Sequence, residues 1–285
     1  MVSIITDSTC DLSKELIEKY HINILPLQVM LGEQEYQDGV DITPDLIYRW
    51  SDQNGQTPKT SAVTTESAMT VFQRELERSE ELIVITISSG FSSSYQVCRL
   101  AAEKTGAGER IHVIDSKNLS TGIGLLVIRA AIMAGEGKSA KEIEEQVLLS
   151  RPRVRSSFVV DTLTYLHRGG RCSGLTAMLG GVLKIHPRIS VSDGVLSPGK
   201  KYRGAVSRYI LDYVKDMESD LKQADKDRVF ITHSGCDEET VRLVEDYIRS
   251  LDHFDDVLIT RAGSVISSHC GPGTLGVLYE ASPGL

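Results

Sequence analysis

The sequence predicts an α/β protein of two domains, and three observations lead to this prediction. Short β-branched runs alternate with helical patterns from Val2 to Leu149, which is typical of parallel strands covered by helices. After Arg151-Pro152 a turn signal, Asp193-Gly194, indicates antiparallel strands. The chain has 285 residues, of which 41% are hydrophobic, and is long enough for two cores. We predict a parallel-sheet domain over residues 1–151 and a mixed α/β domain over residues 152–285, with the last segment able to pack back on the first domain.

In the first domain, strands are predicted where β-branched residues cluster, and helices where apolar residues recur every three or four positions. Thr43-Pro44 marks a helix start, because Thr suits the N-cap and Pro suits the first turn. The predicted strands cover residues 2–6, 22–29, 82–87 and 111–115. The predicted helices cover residues 11–20, 64–78, 93–104, 120–134 and 139–149, with another that begins at residue 43.

In the second domain, the same patterns predict a different order of elements. Strands are expected at residues 154–160, 229–232 and 257–260, with a hairpin at 188–195. Helices are expected at residues 163–167, 175–183, 204–222 and 238–250. The loop from Ser268 to Gly273 is expected to lead into a final short helix.

Composition excludes several classes of protein. The net charge is −8, with 31 basic and 39 acidic residues, whereas general nucleic-acid binders carry a basic surplus. Five cysteines lie far apart and form no C-x-x-C pair, so we expect free thiols in a reducing cytosol and no zinc site. The N-terminus lacks the basic region of a signal peptide, and the longest apolar stretch, residues 122–135, is too short to span a bilayer. We predict a cytoplasmic protein without a metal or a transmembrane segment.

Small hydroxyl residues cluster where predicted strands meet helices. Such corners occur at residues 6–9, 60–61, 88–94 and 115–116. Helix N-termini there offer free backbone N–H groups to an anion, but the same residues serve as ordinary N-caps. The segment ISSGFSSSYQ, residues 87–96, holds five serines, which is more than capping requires and favours an anion cradle that includes Ser92.

One other interpretation of this corner stays open. A nucleophile elbow reads G-x-S-x-G, and Gly90 and Ser92 fit it, but Ser94 replaces the last glycine. His269, in the tight loop SSHCGPG, is available as a base, but no acid completes a triad.

No phosphate-binding loop and no G-x-G-x-x-G after a strand occurs, so the chain shows no nucleotide site of its own.

Eight segments of the chain, in their order and spacing, point to one family. These segments are IITDSTCDL from residue 4, PKTSAVT at 58–64, ISSGFSSSYQ at 87–96, VIDSKNLSTGIGLLV at 113–127, YLHRGGR at 165–171, LKIHPRISVSDGVL at 183–196, ITHSG at 231–235 and SSHCGPGTLG at 267–276. Through them, nearly the whole chain resembles the DegV family, the fatty-acid-binding subunits of bacterial fatty acid kinase.

The resemblance implies a DegV-like fold that holds one long-chain fatty acid non-covalently between its two domains, with no other cofactor. The carboxylate-binding hydroxyls fall on Thr60 and Ser92, beside Ser61 and Ser93, and the histidine near the ligand head falls on His269. The family role is to present the carboxylate to a separate ATP-binding kinase subunit, which forms an acyl phosphate for phospholipid synthesis. The chain would then have no catalytic residue of its own.

The resemblance also implies a partner surface, and it leaves an alternative. Arg171 and Arg203 match basic positions of the family and are expected to face the kinase or the transferring phosphate. Ala62-Val63 and Ser93 depart from the family pattern, which puts the preferred acyl chain in doubt. The alternative is an enzyme that uses His269 on a carbonyl substrate, as the similar dihydroxyacetone kinase substrate domains do, or Ser92 on an ester.

Overall fold

The structure is a computed structural model that describes residues 1–171 and 185–283. Its strands are β1 (Val2–Asp7), β2 (Asn23–Leu25), β3 (Gln28–Leu31), β4 (Gln34–Gln37), β5 (Lys59–Ser61), β6 (Glu81–Thr86), β7 (Ile111–Asp115), β8 (Val154–Val159), β9 (His186–Ser192), β10 (Val195–Tyr202), β11 (Ala224–Ser234), β12 (Asp256–Arg261) and β13 (Thr274–Ala281). Its helices are α1 (Lys14–Lys19), α2 (Pro44–Asn54), α3 (Thr65–Leu76), α4 (Ser94–Lys104), α5 (Thr121–Gly135), α6 (Ala140–Ser150), α7 (Thr164–Arg168), α8 (Val206–Lys215), α9 (Glu218–Leu221), α10 (Glu238–Ser250) and α11 (Ser264–Cys270).

The first sheet is parallel, with strand order β2-β1-β6-β7. Its strands are apolar on both faces because helices cover both. Ile83 and Ile85 pack in one cluster with α5 and α6, whereas Leu82 and Val84 pack in another with α3 and α4. This confirms the parallel α/β fold that strand–helix alternation predicts. Polar loops follow the carboxyl ends of β1, β6 and β7, where ligands bind in open sheets of this kind.

The second sheet is mixed, with strand order β10-β9-β8-β13-β11-β12. Strands β11 and β12 are parallel, and the other neighbours are antiparallel. Asp193 and Gly194 both have positive φ, at 49° and 80°, so the predicted D-G turn joins β9 to β10. Helices α8 and α10 cover one face of this sheet, and the other face meets α5 through Phe230 and Leu278.

The predicted final short helix is wrong, because the loop from Ser268 to Gly273 is followed by strand β13. All eight residues of β13 are buried, since the strand lies between β8 and β11 and both of its faces are covered. A strand buried on both faces shows no alternation of polar and apolar residues. Residues 268–270 belong instead to helix α11, which carries His269, and the loop itself covers only residues 271–273.

A small antiparallel sheet, with strand order β4-β3-β5, lies beside α11. Val265 of α11 packs in one apolar cluster with Leu27, Val29 and Ile47. The predicted strand at 22–29 is divided at Pro26 into β2 and β3, which belong to different sheets. Strand β5 was not predicted, although it carries two of the proposed binding hydroxyls.

Three further predictions have different outcomes. The helix predicted at 204–222 is two helices, α8 and α9. The helix predicted at 175–183 lies outside the described residues, and the domain boundary at residue 151 stays a prediction. Within the described ranges, no helix combines the length and the apolar character needed to cross a membrane.

Candidate ligand cavity

A cavity lies between the loops at the carboxyl edge of the parallel sheet and one face of the mixed sheet. The space between its lining atoms, with the open mouth included, is about 910 Å³. Helix α11 and strand β5 complete its walls. The apolar side chains that line it are Leu27, Ala62, Ile87, Phe91, Leu119, Phe158, Leu166, Leu196, Ala262, Val265, Ile266 and Leu278.

One end of the cavity is polar and partly exposed, and we call its residues the mouth group: Thr60, Ser92, Arg171 and His269. Thr60 Oγ1 lies 2.7 Å from His269 Nε2, so two residues that are 209 positions apart in the chain are hydrogen-bonded. Short strand β5 holds Thr60 through its pairing with Val29 of β3. Helix α11 holds His269 on its last turn. The structure therefore brings these two predicted residues together.

His269 is a neutral imidazole. Burial, together with the smaller effect of the nearby Arg171 guanidinium, lowers its pKa to about 4. Its Nδ1 is buried and has no hydrogen-bond partner among the described residues. The tautomer with the proton on Nε2 is favoured, because an unpartnered lone pair is less costly than an unpartnered N–H group. In this tautomer Nε2 donates to Thr60 Oγ1, and the Thr60 proton remains available to a ligand.

Gly169, at the end of α7, is the residue that sequence reasoning missed. A Cβ at this position would lie 2.3 Å from His269 Nδ1, so only glycine allows the imidazole this close. Gly169 is the C-cap residue of α7. The positive φ of 69°, which favours glycine at a helix end, belongs to Gly170. Ending the helix therefore accounts for one of the two glycines, and the other is the signal in the sequence that could have indicated a close contact at position 169.

The serines of the β6–α4 loop have separate roles. Ser88 Oγ donates to the carbonyl of Gly194, 2.8 Å away, and so ties the tip of the β9–β10 hairpin to this loop. Ser89 Oγ donates to Asp115. Ser92 lines the cavity, accepts from the N–H of Ser94, and lies 2.9 Å from the Ser94 hydroxyl. Ser93 is exposed and does not line the cavity. Only Ser92 of these residues is placed to contact a ligand.

Arg171 supplies the positive charge at the mouth. It is the one Lys or Arg among the described residues that line the cavity, and no Asp or Glu lines it there. Its Nη1 donates to the carbonyl of Gly169, and its Nε donates to the carbonyl of Phe91 at 3.4 Å. Arg203, the second basic position, is exposed at the end of β10 and outside the cavity lining.

Ser61 lines the outer edge of the cavity but is occupied elsewhere. Its hydroxyl donates to Gln28 Oε1 at 2.9 Å, and the residue is exposed. The structure therefore brings together Thr60, Ser92 and His269, together with Arg171. The other three predicted residues have no donor that faces the cavity. These residues are Ser61, Ser93 and Arg203.

Five other hydroxyls reach the cavity wall, and we call them the wall hydroxyls: Ser120, Ser157, Thr232, Ser234 and Thr274. All are buried, and each is hydrogen-bonded within the protein. Their partners are Asp11 for Ser120, Tyr213 for Ser157, Thr121 and Thr260 for Thr232, Tyr48 and Ser267 for Ser234, and the Cys270 carbonyl for Thr274. His233 also reaches the wall, and burial lowers its pKa, so it is uncharged.

The geometry does not form a Ser-His-acid triad among the described residues. His269 is bonded to Thr60 rather than to Ser92, and no carboxylate meets its Nδ1.

The thiol of Cys270, which also lines the cavity, has its pKa raised to about 12 by burial and is neutral. Cys10, Cys98 and Cys236 are likewise free thiols, and Cys172 lies outside the described residues. No cluster of three or more metal-ligating side chains occurs in residues 1–171 or 185–283.

The fold and the site define a class: an α/β protein with an apolar cavity that has a cationic, hydroxyl-lined mouth. The chain belongs to the DegV family, whose model, described as an uncharacterised protein family, matches residues 1–282. A DegV domain-containing protein of Caldanaerobacter subterraneus is 35% identical over 98% of both chains. This shows the family and the α/β fold predicted from the sequence.

Solved structures agree with this assignment. A DegV family protein of Thermus thermophilus, described by its fatty acid binding, superposes with a TM-score of 0.88 at 29% identity, over 99% of each chain. A stearic-acid-binding protein of Eubacterium ventriosum superposes with a TM-score of 0.85 at 31% identity, over 98% of each chain.

Proposed function

We propose that this chain binds one long-chain fatty acid non-covalently, with the acyl chain in the cavity and the carboxylate at the mouth group. The observation that carries the proposal is the asymmetry of the cavity. Its wall is made of apolar side chains, the hydrogen-bonded wall hydroxyls and the uncharged His233 and Cys270, while its mouth has a single guanidinium and two hydroxyls with hydrogen-bonding capacity to spare. The fatty acids bound by relatives of similar sequence support the same ligand.

The energetics suit such a ligand. Each CH₂ group buried from water contributes roughly 0.8 kcal/mol, so a long chain binds tightly without a covalent bond. A carboxylate removed from water needs several donors and a counter-charge. Thr60 and Ser92 are the donors, and Arg171 is the counter-charge.

His269 orients the donor of Thr60. Because the imidazole is neutral and its Nε2–H points at Thr60 Oγ1, the Thr60 hydroxyl accepts that hydrogen and donates its own to the carboxylate. Hydrogen bonds in such a chain polarise one another, which strengthens the last one. The carboxylate stays ionised in this arrangement.

The finer proposal is that the chain presents this carboxylate to a separate ATP-binding kinase subunit, which forms the acyl phosphate. Two features support it: the resemblance to fatty acid kinase subunits in the motif segments, and the exposure of Arg171 beside the mouth. Arg171 is placed to neutralise the charge that phosphorylation adds. Arg203 is proposed to contact the kinase itself. The chain would then act as a carrier, while the partner supplies the nucleotide and the catalytic residues.

The first test is mass spectrometry of protein purified from cells, first native and then denatured. A mass increment that matches a fatty acid and disappears on denaturation is expected. The variant Thr60→Val should lose most of it, whereas Ser93→Ala, an exposed control in the loop of Ser92, should retain it. Absence of any increment, with no uptake of added fatty acid, would overturn the proposal. An increment that survives denaturation would indicate a covalent site and the enzyme alternative.

The kinase step needs its own test. Acyl-phosphate formation is measured with the loaded chain, ATP and a fatty acid kinase ATP-binding subunit. Arg203→Gln should weaken association with the kinase and leave the bound fatty acid unchanged. Arg208→Gln, an exposed arginine on α8, is the matched control and should change neither. Equal loss in both variants would contradict a specific role for Arg203.

A further inference from the structure

Two buried carboxyl groups meet at the N-terminus of α11, the helix that carries His269. Asp11 Oδ1 accepts from the N–H of Gly263 at 2.8 Å, and Asp38 Oδ1 accepts from the N–H of Ser264 at 2.6 Å. Both acids come from the first 40 residues of the chain, more than 220 positions from their partners. They are only 5% and 2% exposed. The start of α11 is therefore held by side chains of the first domain.

The two carboxyls lie close together. A Cβ built on Gly263 would lie 3.2 Å from Asp11 Oδ1 and 3.2 Å from both oxygens of Asp38. The two groups are therefore packed around one point. No ion pair within the described ranges includes either of them. Two negative charges this close, buried and without a cation, repel strongly.

The surroundings of the pair favour one proton between the two groups. The titratable neighbours are Asp7 and the thiols of Cys10 and Cys270, none of which is cationic. Burial raises the pKa of Asp11 and that of Asp38, and the charges of Asp38 and Asp7 raise the pKa of Asp11 further. The Ser8 hydroxyl and the Val265 N–H also face the Asp38 carboxyl, but its buried Oδ2 makes no hydrogen bond of normal geometry among the described residues. An unpartnered carboxylate oxygen is costly there, so a proton on this pair is favoured.

The pair also contacts the cavity wall. Asp11 Oδ2 accepts from the hydroxyl of Ser120, a wall hydroxyl at the start of α5. Ser120 has a φ of 53°, which is uncommon for a residue other than glycine. The carboxyls thus join two helix starts, those of α5 and α11, on two sides of the cavity. His269 lies at the far end of the second helix.

We propose that Asp11 and Asp38 are positioning residues: a carboxyl pair that holds one proton and seats α11 so that His269 meets Thr60. Only one consequence of this inference rests on the proposed function, namely selectivity for a ligand with a carboxylate head group. Neither acid touches the ligand. A neutral amide can replace one member, because its oxygen accepts the same backbone N–H. Alanine cannot, because it leaves that N–H buried without an acceptor.

The first experiment compares head-group selectivity. The dissociation constants of a fatty acid and of the alcohol of equal chain length are measured for the delipidated full chain. Asp38→Ala should lower the acid-over-alcohol preference by roughly tenfold, the loss expected of a hydrogen bond to a charged group. Asp38→Asn should keep the preference. Glu75→Ala, which removes a buried carboxylate of α3 away from the cavity, should lower stability without changing it.

Two further measurements do not depend on a ligand. Infrared spectroscopy at pH 8 should show the carbonyl band of a protonated, buried carboxyl group in the unmodified protein, and the band should disappear in Asp38→Asn or Asp11→Asn. The ¹H–¹⁵N signals of the His269 imidazole should move in Asp38→Ala and not in Asp38→Asn.

The outcomes separate the two proposals. If the unmodified protein binds neither acid nor alcohol, the proposed function fails, while the infrared band and the imidazole signals still decide the role of the pair. If Asp38→Ala does not fold, Asp38→Asn and the infrared band decide it. A band that is absent, or one that persists in both asparagine variants, would overturn the shared proton. Equal selectivity in Asp38→Ala and the unmodified protein would overturn the positioning role.

Discussion

The mouth group and the wall hydroxyls both bring Ser and Thr hydroxyls to the same cavity, yet these hydroxyls differ in the hydrogen-bonding capacity that remains free for a ligand. Each wall hydroxyl is buried and bonded to a neighbour, as Thr232 is to Thr121 and Thr260. Thr60 has a proton to spare because a histidine donates to it. Residue type therefore does not distinguish the two groups. We propose that spare hydrogen-bonding capacity next to a counter-charge marks the ligand-binding hydroxyls, and four predictions test this difference.

The largest effect is expected from Gly169→Ala, which breaks the mouth group. The new Cβ would overlap His269 Nδ1, so either the imidazole or the end of α7 must move. We expect fatty-acid affinity to fall about 100-fold or more, since the Thr60 bond and the Arg171 contact at Gly169 are both disturbed. Equilibrium binding of a fluorescent fatty acid measures this. Gly135→Ala, where a Cβ meets nothing within 4 Å, is the control and should bind normally.

A pH effect should distinguish the mouth from the wall, because only the mouth contains a buried histidine with a strongly lowered pKa. The unfolded chain binds a proton at His269 near its ordinary pKa of about 6.5, while the folded chain does so only near 4. The free energy of unfolding should therefore fall as pH decreases from 6.5 to 4, by at most about 3 kcal/mol. Denaturant unfolding of the protein and of His269→Gln at several pH values measures it. An identical pH dependence in both would contradict the assignment.

Thr60→Val and Thr232→Val compare one hydroxyl of each group. Thr60→Val should weaken fatty-acid binding by about 1.5–3 kcal/mol, because a bond to a charged group is lost. Thr232→Val should leave the acid-over-alcohol preference unchanged and lower stability by about 1 kcal/mol, because two buried hydroxyls lose a partner. Calorimetric titration and thermal unfolding separate the two effects. Similar loss of selectivity in both variants would remove the distinction between mouth and wall.

The smallest effect is expected from Ser93→Ala. Ser93 is exposed, is the N-cap of α4 without a side-chain cap bond, and does not line the cavity. Stability should change by no more than about 0.5 kcal/mol, and binding should be unaltered. Ser92→Ala, one position earlier, should weaken binding. A binding defect in Ser93→Ala would mean that this loop presents a different serine to the ligand.

Local patterns predicted most of the first domain well, because its helices have clear caps and its strands have clear β-branched runs. The predicted cap at Thr43 accepts a backbone N–H, and so do Thr64 and Ser139, where two further helices are predicted to begin. The errors fall at strands whose formation depends on their tertiary surroundings rather than on a local sequence pattern. Strand β13 is buried on both faces, and β5 is only three residues long, so neither has a period that a pattern could detect.

The site was predictable only in part, and for a similar reason. Thr60, Ser92 and His269 were inferred from motif segments, and the structure places all three on one cavity. Ser61 and Ser93 were inferred because they adjoin these residues, but adjacent residues on a strand or at a helix start point in different directions. Asp11 enters the predictions only as the first residue of a helix, and Asp38 enters none of them. Their meeting at α11 depends on contacts across more than 220 positions, which no local pattern records.

The place of β13 in the mixed sheet determines when, during synthesis of the chain, the cavity can be completed. On the ribosome, residues 2–115 can form the parallel sheet early, since all four of its strands lie in that segment. The gap between β8 and β11 stays open until residues 274–281 emerge, and His269 emerges just before them. On the proposed function, the chain therefore cannot hold a fatty acid until the last strand of the mixed sheet has been translated.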